Sequence, residues 1–117
     1  MLFRSSLTLG RDRLAATGNS NYGWFGGGYT ALSLSRVDRI DFSNDLATAS
    51  LRGPLSVSRF TLSATGNSNY GWFGATTSAG TTLIDRITFS NDSVTASSRG
   101  LLASSRYSSS ATSNTNR

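Results

Sequence analysis

The chain has 117 residues, a formal net charge of +5, and no Lys, Glu, Gln, His or Cys. Without Cys there are no disulfides, thiolate nucleophiles or zinc-finger ligands, and without His the usual general base near neutral pH and the commonest metal ligand are missing. Several strong helix formers are absent and Ser, Thr, Asn and Gly stand in their place, which predicts an all-β chain rich in turns.

Residues 1–10 lack the apolar run of about 7–15 residues that marks a secretory signal, and no stretch approaches the roughly 20 apolar residues of a membrane-spanning helix. Their Arg4 and Leu7, with Arg11 just beyond, stand in phase with Arg52, Leu55 and Arg59, and again with Arg99, Leu102 and Arg106. They are read as the terminal strand of a partial repeat. Unit 1 spans 11–58, unit 2 spans 59–105, and 106–117 is a worn partial repeat or flexible tail. The repetition is direct. Residues 17–26, Thr-Gly-Asn-Ser-Asn-Tyr-Gly-Trp-Phe-Gly, return unchanged at 65–74; Asp38-Arg39-Ile40 returns as Asp85-Arg86-Ile87, and Phe42-Ser43-Asn44-Asp45 as Phe89-Ser90-Asn91-Asp92.

Within a unit the first predicted strand is short, 62–64 in the second copy. The turn at 65–69 follows, where Asn and Gly are expected to supply positive φ. The aromatic block 70–74 is β-favouring and closed by Gly, so it reads as the second strand. A variable loop comes next, 27–35 in unit 1 and 75–81 in unit 2. The third strand, 37–42, alternates Ile40 and Phe42 on one face with Arg39 and Asp41 on the other. Residues 43–45 form a turn, and a small-residue strand at 47–51 ends before Gly53-Pro54. Four short antiparallel strands per unit make one propeller blade.

The block Tyr22-Gly23-Trp24-Phe25-Gly26-Gly27 resembles the kelch strand that ends in a glycine pair, and Val37-Asp38-Arg39-Ile40-Asp41-Phe42 resembles the strand after it. Pro54-Leu55-Ser56-Val57-Ser58-Arg59 resembles the approach to the next kelch repeat, and the period is close to the roughly 50 residues of that family. The resemblance implies tandem four-stranded antiparallel kelch-like β-propeller blades, two full and the rest partial. The pattern departs at the fourth strand, where Ala49 and Ala96 stand near the place of a Trp, and at Gly74-Ala75, where a second Gly is wanted. In composition the repeats are also similar to kelch-like arrays of viral and environmental surface proteins, which implies a virion or other external-surface setting.

Two blades cannot close a propeller and leave raw sheet edges; of three outcomes, self-association, docking on a larger assembly or a fragment of a longer array, association with itself or with other subunits of a larger assembly is the expected one. Its expected function is non-enzymatic: a structural or adhesive component working through protein–protein contact. The hydroxyls have no His or Lys to act as base, and no cofactor is expected. Recurring residues are the expected structural and assembly sites: Tyr22, Trp24 and Phe25 with their copies Tyr70, Trp72 and Phe73, and Arg39 and Arg86 pairing with the carboxylates beside them, Asp38 and Asp85. Asp41, Asn44 and Asp45 crowd together as oxygen donors would for Ca²⁺, but Thr88 replaces Asp41 in unit 2, so a self-bonded turn is the preferred reading. Two alternatives remain open: a lectin-like module binding glycans through the variable loops, and an Arg-driven nucleic-acid binder, which needs a clustered basic face. The N-terminal segment of one copy is expected to complete a blade with the C-terminal segment of the next.

Overall fold

The computed structural model describes residues 6–74 and 83–102. The chain is all-β, and its only helical elements among the described residues are two 3-10 turns. Unit 1 forms β1 (Ala15–Gly18), β2 (Tyr22–Gly26), β3 (Val37–Asp41) and β4 (Ser50–Arg52); unit 2 forms β5 (Ser63–Gly66), β6 (Tyr70–Gly74), β7 (Leu83–Thr88) and β8 (Ser97–Leu101). Each set is one antiparallel sheet with its strands in chain order. The registers repeat: Thr17 faces Trp24 and Thr65 faces Trp72, while Trp24 faces Arg39 and Trp72 faces Arg86.

The β1–β2 turn is built differently from the sequence expectation. Neither Gly18 nor Asn19 has positive φ, and the same holds for Gly66 and Asn67. Instead the Asn19 carboxamide oxygen accepts the N–H groups of Asn21 and Tyr22, both at 2.9 Å. Asn67 does the same for Asn69 at 2.8 Å and Tyr70 at 2.9 Å. The side chain supplies the acceptor that a tight turn leaves missing, so no left-handed residue is required.

Positive φ appears elsewhere. Gly27 and Gly28 have φ of 72° and 114°. The second lets its backbone reach the partners of loop 27–36, with Gly28 N–H donating to Arg59 O at 2.9 Å and Gly28 O accepting from Leu34 N–H at 2.9 Å. The loop is thereby laced to the start of unit 2, and its tip at Leu32 is exposed. The second variable loop, 75–81, and the tail, 106–117, lie outside the described residues.

The two sheets lie face to face, closest at β1 and β5. Their core is Trp24, Val37, Leu55, Leu62, Phe73, Ile87, Phe89 and Ala96. Alternation along the strands decides which side chains meet. The Trp24–Gly26 face of β2 turns toward sheet 2, and the Gly71–Phe73 face of β6 turns toward sheet 1. A methyl group at Gly71 would sit 2.5 Å from Thr17 Cγ2, and one at Gly26 would sit 2.8 Å from the Phe73 ring, so glycine is what permits the sheets to approach.

The described part of the N-terminal segment, 6–10, contains no strand. It lies against unit 1 of its own chain: Ala49 N–H donates to Ser6 O at 2.8 Å, as Ala96 N–H donates to Pro54 O at 2.8 Å one unit later.

Candidate functional site

Three polar constructions organise the molecule, two of them copies of each other. Asp38 on β3 and Asp85 on β7 are fully buried. Each is clasped by the segment that precedes its unit. Asp38 accepts the Thr8 N–H and hydroxyl, both at 2.8 Å, and Arg11 Nη1 at 3.4 Å. Asp85 accepts the Ser56 N–H at 2.8 Å, the Ser56 hydroxyl at 2.6 Å and Arg59 Nη2 at 2.9 Å. The guanidinium also anchors backbone: Arg11 Nη2 donates to Phe25 O at 3.1 Å and Arg59 Nη1 to Leu83 O at 2.8 Å. Burial pushes both guanidinium pKa values below the ordinary arginine value, and the facing aspartate pulls each back up.

These partners differ from the sequence expectation. Arg39 and Arg86 do not pair with Asp38 and Asp85. Adjacent strand residues point to opposite faces, so Asp38 and Arg39 cannot share one contact. The arginines that fill the role, Arg11 and Arg59, were visible as a recurring phase. Their hydroxyl companions escape an identity search because Thr8 in one unit becomes Ser56 in the next.

The third construction joins the sheets. Asp92, just past the 3-10 turn Phe89–Asn91, is 5% exposed. Its carboxylate accepts Trp24 Nε1 at 2.7 Å, Arg39 Nη1 at 3.1 Å, and Arg52 through Nε at 3.0 Å and Nη2 at 2.7 Å. Beside it the Trp24 ring lies on Phe89, centroids 4.0 Å apart and planes 6° from parallel. Arg39 also covers the Tyr22 ring, its guanidinium carbon 4.3 Å from the centroid. So Tyr22, Trp24 and Arg39 converge on the junction with two residues from the other unit, Phe89 and Asp92. Phe73 packs into it at Gly26, while Phe25 lies on the other face of β2.

Asp41 serves its own turn. Its Oδ1 accepts the Ser43 hydroxyl at 2.7 Å and the Ser43 N–H at 2.9 Å, which holds its carboxyl below the usual carboxylate range. Among the described residues no three acidic side chains gather as a metal site.

At the turn end of the junction lies a groove of about 340 Å³ whose lining includes Asn19, Tyr22, Asn69, Tyr70 and Ser90. No family model matches the chain, and no curated protein matches it.

The copies of the junction residues sit on the outer faces. Trp72, Arg86 and Arg99 repeat Trp24, Arg39 and Arg52 on unit 2; Phe42 and Asp45 repeat Phe89 and Asp92 on unit 1. Their burial differs with position. Phe89 is 8% exposed inside the junction, whereas Phe42 is 49% exposed outside it. Chemically, the arrangement holds surfaces together. Its buried aspartates are each tied to arginine and to neutral donors.

Proposed function

We propose that the chain is a non-enzymatic structural or adhesive subunit made of kelch-type propeller blades, which works by joining its blades to those of other subunits. The observation that carries this reading is the junction at Asp92. One such interface is complete inside the chain, and the outer faces bear the two halves of the same interface, Trp72 with Arg86 and Arg99 on one side and Phe42 with Asp45 on the other. The blade reading is supported by four-stranded sheets in chain order that stack face to face and approach most closely at their first strands. A propeller uses about four to eight such blades, so a ring needs several copies, three giving six blades. The setting we infer is a virion or other external surface, on the likeness of composition named above. The mass of the purified particle in solution tests the reading. It requires a multiple of the 12.4 kDa chain, and a monomer at every concentration would end it.

A second reading is favoured by the groove beside Tyr22 and Tyr70. Aromatic rings and carboxamides at one opening suit a sugar, with the rings stacking and the Asn groups bonding hydroxyls. Binding on a glycan array would support it. A nucleic-acid role is disfavoured because Arg11, Arg39, Arg52 and Arg59 are already engaged with aspartates.

A further inference from the structure

We infer that copies of the chain join back face to front face, with Trp72 of one stacked on Phe42 of the next in the register of the internal Trp24–Phe89 junction. This rests on the assembly reading and specifies its contact.

Both half-sites have the internal geometry already. On the back face, Tyr70 and Trp72 stand 5.7 Å apart at 52°, as Tyr22 and Trp24 stand 5.7 Å apart at 57° in the engaged copy. Arg86 lies 4.2 Å over Tyr70, as Arg39 lies 4.3 Å over Tyr22. Trp72 is nevertheless only partly buried where Trp24 is fully so, and the Arg86 Nε is buried without a hydrogen-bond partner. On the front face the Phe42 ring lies against Gly23, 3.3 Å from where a methyl group would stand, much as Phe89 lies 3.0 Å from that point at Gly71. Ile40 beside it is partly buried, whereas its copy Ile87 is 3% exposed. The rotamers that bind in the internal junction are therefore set on both outer faces before any partner arrives, which lowers the ordering entropy of association.

Charge agrees with this pairing. The back face presents Arg86 and Arg99, and the front face carries the exposed Asp45, the copy of Asp92. Front-to-front contact would bring aspartates together, and back-to-back contact would bring arginines together, so like charge disfavours both. The interface is accordingly heterologous and leads to a ring or a filament.

Two single variants and their mixture test the register by sedimentation velocity. Phe42→Arg sets a cation against Arg86 and Arg99 and disables only the front face. Trp72→Ala disables only the back face. Each is expected to weaken association by roughly 30-fold or more, the scale of losing a buried aromatic anchor. Mixed in equal amounts, they retain one working face each and form a species of two chains that grows no further. Should Trp72→Ala lose the native near-ultraviolet dichroism, Arg99→Asp reports on the same face, because that side chain is exposed. A wild type that assembles, with variants that still pair alone or fail to pair when mixed, would overturn the register and leave the assembly reading standing. A monomeric wild type overturns both.

Discussion

Asp92 is the residue on which the contact between the sheets turns, because one carboxylate takes donors from β2, β3 and β4 together. Asp92→Ala leaves Trp24 Nε1 and two guanidinium groups without their acceptor. We expect a loss of roughly 2–4 kcal/mol in urea unfolding, discounted from a fully buried pair for partial solvent access. Arg39 and Arg52 keep 23% and 26% of their side-chain surface exposed. Asp45→Ala, the same change at the exposed copy, is expected to cost under about 1 kcal/mol in dilute solution. Equal losses at the two sites would contradict the assignment. In the turn before β4, Ser43→Ala removes one of the two donors to Asp41: the hydroxyl is lost and the backbone N–H stays. NMR titration should then find the Asp41 carboxyl raised toward its ordinary range. The sign follows from the lowered folded-state value: this contribution is present above the unfolded carboxylate range and fades as pH falls through the folded one.

At the scale of elements, the unit boundaries carry backbone strain. Arg13 and Thr61 stand at the same point of successive units with φ of 60° and 57°, and Thr61 N–H donates to Arg13 O at 2.8 Å. A β-branched residue in this region is strained by about 1–2 kcal/mol. Thr61→Gly is therefore expected to raise the unfolding midpoint, by the equivalent of about 1 kcal/mol, and a lowered midpoint would count against strain there. The aromatic strand was legible residue for residue, since Tyr22–Gly26 and Tyr70–Gly74 are bounded by the turn Asn and a Gly. The third strand was legible to Asp41 but stops before Phe42, because the Asp41 side chain caps a 3-10 turn there. The first strand begins and ends later than its small-residue pattern suggests, at Ser63–Gly66, since Thr61 turns the chain and Asn67 closes the hairpin. The fourth strand also slips, from 47–51 to Ser50–Arg52, because nothing in a run of small residues marks its start. The clasps were hidden for another reason: Thr8 meets Asp38 across 30 residues, and no local pattern encodes that pairing.

Across the whole molecule, the N-terminal segment belongs to unit 1 as the clasp of Asp38, the role that 54–59 plays for unit 2. Deleting residues 1–10 removes Thr8 and leaves a buried aspartate with Arg11 alone at 3.4 Å. The expected loss is roughly 3 kcal/mol or more, the scale of an incompletely satisfied buried charge. A deletion that unfolds at the full-length urea midpoint would contradict that role. What the sequence made legible at this scale was the duplication itself, with Trp24 and Trp72 as its most constant part. It did not reveal that identical residues occupy unlike surroundings, because position in the stack, rather than side-chain chemistry, decides that Trp24 is covered and Trp72 is not. Acrylamide quenching of the wild-type tryptophans across a concentration series tests the central claim most directly. Joining of these faces requires that Trp72 be quenched in dilute protein and protected in concentrated protein, with Trp24 protected throughout. Quenching of Trp72 that is the same at every concentration would contradict it.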